Sequence, residues 1–110
     1  MMSAVAFGVW NAVDTFWLKN ATWAGFFIAS GANTAMMSIV MMLSYFVMRR
    51  RGMTVGLVFW IALWVSFEKM HTEWELSWPW LTLGNGFANY AGLVQWYEYT
   101  GVFGGSLWVL

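Results

Sequence analysis

Long stretches without a charged side chain constrain this sequence more than any other feature. Asn20 to Met48 holds 29 consecutive uncharged residues, and Gly52 to Phe67 holds 16. An α-helix rises about 1.5 Å per residue, so the longer stretch exceeds the roughly 30 Å hydrocarbon core of a bilayer and the shorter one is a marginal span. With 61% hydrophobic and 9% charged residues, the chain has too little polar surface for a soluble domain. The sequence therefore predicts a membrane protein.

The predicted fold is all-α, a polytopic transmembrane helical bundle of which the chain holds a part. We expect spans at about 1–18, 21–48, 53–69 and 99–110. The first and last are expected to be truncated, because the apolar runs at both ends are too short to cross a bilayer alone.

The uncharged residues from Leu76 to Tyr97 have a different composition. Proline and glycines interrupt any helix here, and amide side chains would be costly facing lipid. Tryptophan and tyrosine collect where hydrocarbon meets headgroups, and four of the ten tryptophans lie between Trp74 and Ser106. This composition predicts a folded loop in the membrane interface, over about 70–98.

The three arginines at 49–51 form the single basic cluster and predict the orientation. Short cytoplasmic loops are enriched in Lys and Arg, so this turn is expected inside the cell. The Trp-rich loop at 70–98 is then expected on the outer side.

Two patterns of small residues predict helix packing. Ser30, Thr34 and Ser38 recur every four residues, with Gly31 and Ala35 on the adjoining line. Small residues let helices approach closely in lipid, and hydroxyls can bond across helices or back to their own carbonyls. A polar substrate pathway that includes Asn33 is the alternative interpretation of this stripe. Gly101 and Gly105 form a GxxxG pair that also favours packing.

Few residues could carry chemistry. The absence of cysteine excludes thiol nucleophiles, disulfides and thiolate metal sites within these 110 residues. His71 follows Glu68 by three positions, and Glu-x-x-His is half of a carboxylate-bridged di-iron site. The other half is missing, so we expect no metal and no cofactor, and a polar helix end at the water boundary explains these side chains. The spacing of Ser, Asp and His matches no catalytic triad, and no basic surface suits nucleic acid.

Several motifs together resemble a known family. They are the runs WVSFE from Trp64, SWPWLTLG from Ser77, QW from Gln95, and Gly101 with the GGS that ends at Ser106. In this order and spacing they resemble the membrane domain of bacterial apolipoprotein N-acyltransferase, and most closely its Bacteroidetes-like versions. The likeness covers most of the chain, because Trp17 and the arginine turn also fall where that family has a helix entry and a basic inner turn.

The resemblance implies a multi-pass enzyme of the bacterial inner membrane, with the Trp-rich loop facing the periplasm. Such an enzyme moves an acyl chain from a phospholipid to the N-terminal diacylglyceryl-cysteine of a lipoprotein. In the family, a Glu, a Lys and a Cys of a periplasmic nitrilase-like domain carry out the chemistry. That domain is not among these residues, so no catalytic residue is assigned and the segment alone is expected to be inactive.

The role expected of this segment is to admit lipid to the catalytic domain. We name as portal candidates the side chains that suit the boundary between apolar and polar surroundings, namely Trp78, Trp80, Gln95, Trp96, Tyr97 and Glu98. A second set is expected to shape the structure without contacting substrate, namely Glu68, Pro79, Gly84, Gly101, Gly105 and Ser106. Anchoring of the rim in the headgroup region is the simpler explanation for any one aromatic side chain.

Two functions of other classes remain open from the sequence. One is a small multi-span transporter or channel subunit, and the other is a non-catalytic membrane scaffold. Intramembrane charges and an even number of complete spans would favour transport.

Overall fold

The computed structural model describes residues 2–73, 81–90 and 92–110, and within these ranges the regular elements are helical. The predicted all-α class is confirmed for this part of the chain. The α-helices are α1 (Met2–Asp14), α2 (Trp23–Arg51), α3 (Met53–Glu73) and α4 (Tyr97–Val109), and the 3-10 helices are η1 (Phe16–Asn20) and η2 (Leu83–Phe87). The chain divides into two compact units, Met1–Gly56 and Leu57–Leu110.

The two charge-free stretches form the two long helices. By length and composition, α2 with 29 residues and α3 with 21 residues could each cross a membrane. Thr22 caps the start of α2, because its hydroxyl accepts a hydrogen bond from the Gly25 N–H at 3.1 Å. The three arginines occupy the last turn of α2, where positive charge complements the helix dipole.

In the first unit, α1 packs against α2 in the antiparallel sense. Asn11 of α1 bonds to Asn33, whereas Thr15, one turn further along, bonds to the earlier residue Ser30. The buried residues of α2 recur about every 3.5 residues or a multiple of that interval. They are Phe26, Asn33, Met37, Val40 and Ser44.

This buried line differs from the stripe expected from the sequence. Ser30 faces α1, but Gly31 and Ala35 are exposed, and Ser38 bonds to the Thr34 carbonyl of its own helix at 2.7 Å. The 3.5-residue period of the buried line matches antiparallel helix packing, and a strict four-residue stripe drifts away from it.

In the second unit, η2 packs on α4. The described residues from 81 to 96 form 3-10 segments and turns and contain no α-helix, as the composition of this region predicts. Helix α4 is interrupted at Gly101, whose φ of 66° and ψ of −176° are open to glycine at little steric cost. Gly101 therefore marks a kink, while Gly105 in the next turn is buried in packing.

In the described residues, many buried side chains are polar and many exposed side chains are apolar, which is the reverse of the pattern in a soluble domain. Polar side chains are buried at Asn11, Thr15, Asn33, Ser44, Glu68, His71, Thr82 and Ser106, and apolar ones at Phe26, Met37, Val40, Trp64 and Leu81. Many large apolar side chains are exposed, among them Val5, Val9 and Val13 on α1 and Phe27, Ile28 and Ile39 on α2. A soluble protein hides most such side chains, whereas lipid solvates them without cost.

Candidate functional site

The second unit contains a buried carboxylate, Glu68, near the C-terminal end of α3. Only 4% of this residue is exposed. Its Oε1 atom accepts two hydrogen bonds, one from Trp64 Nε1 at 3.0 Å and one from the backbone N–H of Leu83 at 2.9 Å. Its Oε2 atom is buried and has no hydrogen-bond partner among the described residues. Lys69, the next residue of α3, forms an exposed ion pair with Glu73 at 2.8 Å, so a polar surface lies close to the carboxylate.

Gly84, which follows Leu83 in η2, forms two hydrogen bonds with side chains of α4. Its N–H donates to Ser106 Oγ at 3.0 Å, and its carbonyl accepts from the Tyr97 hydroxyl at 2.9 Å. Ser106 is completely buried. We use the name η2 tether for the hydrogen bonds that join η2 to the side chains of Glu68, Ser106 and Tyr97.

Two glycines permit this close approach. A Cβ atom at Gly84 would collide with the Val102 carbonyl oxygen and would also crowd the Ser106 N–H. A Cβ atom at Gly105 would collide with the Tyr97 hydroxyl, because the Tyr97 side chain crosses Gly105 to reach Gly84. Larger residues at either position would push η2 away from α4.

An aromatic cluster lies beside the η2 tether. The ring centroids of Phe87 and Trp108 are 5.2 Å apart, those of Trp96 and Trp108 are 6.4 Å apart, and those of Trp96 and Tyr97 are 4.7 Å apart. Tilted and edge-on arrangements at these separations are favourable for aromatic rings. Because Phe87 belongs to η2 and Tyr97 donates to Gly84, the cluster and the η2 tether share elements.

Two open apolar grooves run along α4 and are continuous with each other. One has a volume of about 540 Å³ and is lined by Val58, Ile61, Ala62, Val65, Thr100, Phe103, Gly104 and Leu107. The other, of about 520 Å³, is lined by Trp96, Thr100, Gly104, Leu107 and Trp108. Thr100, Gly104 and Leu107 belong to both, so an apolar surface extends from α3 to the aromatic cluster.

The portal candidates occupy different environments. Trp96 and Tyr97 are half-buried in the aromatic cluster, and Trp96 Nε1 donates to the Leu93 carbonyl at 3.0 Å. Gln95 and Glu98 are exposed. Trp78 and Trp80, with the shape-setting candidate Pro79, lie outside the described residues.

Of the residues expected to shape the structure, Glu68, Gly84 and Ser106 meet at η2. Gly105 packs against the Tyr97 side chain, which bonds to Gly84. The sequence reasoning missed the partners that complete this arrangement, which are Leu83 through its backbone N–H, Trp64 through its indole, and Phe87 and Trp108 through their rings. The four-residue spacing of Trp64 and Glu68 could have indicated their bond within α3, because such residues face each other on a helix. No local signal identifies a backbone donor from another element.

The first unit has its own buried polar cluster, between α1 and α2. Asn11 accepts from Asn33 through its amide oxygen, and its Nδ2 donates to the Phe7 carbonyl at 2.8 Å and lies 3.4 Å from the sulfur of Met37. Thr15 donates to the Asn11 carbonyl at 2.6 Å and lies 2.7 Å from Ser30 Oγ. The sequence analysis identified Asn33 and Ser30 but not their partners, Asn11 on α1 and Thr15 directly after it.

No described residues form a group of three or more His, Cys, Asp or Glu side chains that could hold a metal ion. Glu68 and His71 lie on the same helix, and the His71 ring packs on Phe67 with centroids 4.6 Å apart. What the described residues provide is an apolar surface with a polar tether beside it.

Comparison with known proteins agrees with the resemblance seen in the sequence. The family model for the apolipoprotein N-acyltransferase N-terminal domain matches residues 1–110. The apolipoprotein N-acyltransferase of Chlorobaculum tepidum is 28% identical over 98 residues, which are 89% of this chain and 18% of that protein. The chain thus corresponds to less than a fifth of the length of this relative. No solved structure matches it.

Proposed function

Since the chain belongs to the family of apolipoprotein N-acyltransferase N-terminal domains, we propose that it is the membrane part of an enzyme that N-acylates lipoproteins. The match of the family model across residues 1–110 is the observation that carries this proposal. The acyl donor is a phospholipid and the acceptor is the amino group of a diacylglyceryl-cysteine at the start of a lipoprotein.

The proposed reaction has two steps. A general base of the catalytic domain first takes the proton of a thiol, and the thiolate attacks the ester carbonyl of the phospholipid. The carbon–oxygen bond of the ester breaks, and the lysophospholipid leaves as an alcohol with the proton that the base returns. The acceptor amine then attacks the thioester carbonyl, the thiolate leaves, and the amine loses a proton as the amide forms. This chain contains no cysteine, so the thiolate must come from residues beyond these 110.

The part assigned to this segment is the approach of the lipids. Both substrates arrive in the plane of the membrane, so their path needs an apolar wall below and polar groups at headgroup depth. The apolar grooves along α4 support this proposal, because Trp96 lines one of them. The exposed polar residues Gln95 and Glu98 lie close to Trp96 in sequence, with Tyr97 between them. Trp78 and Trp80 are proposed to join them because they flank the same region in sequence.

The proposed location is the bacterial inner membrane, with the arginine turn in the cytoplasm and the Trp-rich loop in the periplasm. Two apolar helices of sufficient length and the reversed burial of polar and apolar side chains support a lipid environment.

An assay of acyl transfer tests the function. The full-length parent protein, reconstituted with phospholipid and a diacylated lipopeptide, should yield the N-acylated peptide and accumulate an acyl-enzyme when the acceptor is withheld. The 110-residue segment alone should transfer nothing. Turnover by the segment, or a parent that never forms the acyl-enzyme, would contradict the assignment.

Thiol labelling tests the orientation. Cysteines are placed singly at Gly52 and at Asn85 in a version of the parent whose own cysteines are replaced by serine, and an impermeant thiol reagent is applied to intact cells. Only the cysteine at position 85 should react. Reaction at position 52 alone would invert the orientation.

A further inference from the structure

Glu68 joins two elements that are distant in sequence. Its Oε1 atom accepts from Trp64 on its own helix and from the backbone of Leu83, fifteen residues away, at 3.0 and 2.9 Å. A hydrogen bond to a carboxylate inside a protein is stronger than one between neutral groups, since water does not compete for either partner. Glu68 therefore attaches η2 to α3 through the Leu83 N–H.

The adjacent residue attaches the same segment to α4. Gly84 donates to Ser106 and accepts from Tyr97, so two consecutive residues of η2 are bound to two different helices. Phe87 lies at the other end of η2, one 3-10 turn away, and packs on Trp108 at 5.2 Å. Trp108 lines the groove together with Trp96, and the Phe87 ring packs against Trp108 from η2. The support that Trp108 receives therefore depends on where Leu83 and Gly84 are held.

We propose that Glu68 is a positioning residue for the lipid substrates of acyl transfer. By holding the Leu83 N–H, it sets Phe87 against Trp108 and so maintains the wall of the groove beside Trp96. Glu68 touches neither substrate nor reacting atoms in this role. The inference deepens the proposed function and rests on it, but the attachment itself can be measured without activity.

The role depends on an acceptor at the Oε1 position and not on the second carboxylate oxygen. Glutamine keeps such an acceptor for both donors, whereas leucine fills similar space and accepts nothing. The competing possibility is that the buried Oε2 atom itself binds a cationic or N–H group of a substrate. Glu68→Gln separates the two, because it keeps the Oε1 acceptor and removes the charge.

The experiment uses the full-length parent in lipid nanodiscs, with variants Glu68→Gln and Glu68→Leu. Ser66→Ala is the matched control, because Ser66 is an exposed polar residue of α3 that bonds to the Ala62 carbonyl of its own helix. Amide hydrogen exchange is followed by mass spectrometry for the peptide that contains Leu83 and Gly84. Kinetics are measured in parallel with phospholipid and lipopeptide varied separately.

Loss of a buried bond to a charged acceptor should speed exchange at Leu83 by about tenfold or more in Glu68→Leu. KM for the lipid substrates should rise in this variant, while kcat should change by less than about threefold, because the reacting groups are untouched. Glu68→Gln and Ser66→Ala should remain close to wild type in both measurements.

Three results would overturn the proposal: wild-type exchange in Glu68→Leu, a loss confined to kcat, or kinetic damage by Glu68→Gln with normal exchange. The last would assign the role to the Oε2 atom instead. If Glu68→Leu fails to insert, Ser106→Ala releases the same segment from α4 and should also raise exchange, there at Gly84, and KM. If the wild-type parent shows no acyl transfer, the proposed function fails, while the exchange data still decide whether Glu68 holds η2.

Discussion

Two buried polar clusters among the described residues bond to different kinds of partner. In the first unit, Asn11 bonds to Asn33 and Thr15 to Ser30, so side chains in and directly after α1 bond to side chains of α2. In the second unit, the side chains of Glu68, Ser106 and Tyr97 bond to the backbone of η2.

The difference follows from the backbone. Helices α1 and α2 satisfy their own peptide groups, so the polar side chains between them serve to set the register of two complete helices. The described residues from 81 to 90, which contain η2, form 3-10 segments and turns instead of an α-helix. Unpaired peptide groups away from water are costly. Side chains from α3 and α4 supply the missing partners, which allows irregular backbone to be buried in packed surroundings.

The most damaging single change should be one that prevents η2 from reaching α4. In Gly84→Val, the added side chain collides with the Val102 carbonyl and separates both partners of Gly84, at a cost of at least about 1–3 kcal/mol. We expect acyl transfer by the parent protein to fall more than about tenfold while membrane insertion is retained, because the long helices are unchanged.

Gly86→Val is the control for this change. Gly86 lies in the same 3-10 helix, and a Cβ atom there would meet nothing within 4 Å. Activity should be close to wild type in Gly86→Val. Equal losses in both variants, or normal activity in Gly84→Val, would show that contact of η2 with α4 does not matter.

The asparagine pair of the first unit should show coupled effects on stability. Asn11→Leu or Asn33→Leu removes the buried hydrogen bond between the two amides, which should destabilise the protein by about 1–2 kcal/mol. The double variant should cost less than the sum of the two single changes, because each single change already removes that shared bond. Unfolding of the parent in mixed micelles measures all three, and additive costs would mean that the two amides act independently.

The smallest effect should come from the tyrosine of the η2 tether. Tyr97→Phe keeps the ring beside Trp96 and removes the hydroxyl that donates to the Gly84 carbonyl, a loss of about 0.5–1.5 kcal/mol. Tyr99→Phe is the matched control, because Tyr99 is 88% exposed. Only the variant at position 97 should show faster exchange of the peptide around Gly84, and equal rates in both would remove Tyr97 from the tether.

Several features could be determined from the sequence because they depend on local composition. The charge-free stretches predicted α2 and α3, since a run of apolar residues in lipid can satisfy its backbone in a helix. Glycines and amides predicted the absence of an α-helix in the described residues from 81 to 96. The runs around Trp64, Ser77 and Ser106 were sufficient to indicate the family that the comparison with known proteins then showed.

The pairing of these parts required the tertiary structure. Helix α2 carries apolar side chains on all of its faces, and lipid solvates them as readily as a neighbouring helix does. Hydrophobic periodicity therefore could not show which face of α2 meets α1. The partners of Asn11 and Glu68 lie 22 and 15 residues away, and the partner of Glu68 is a peptide N–H that every residue except proline carries. Composition therefore determined which segments are helical, whereas geometry alone selected which of many equivalent donors and faces come together.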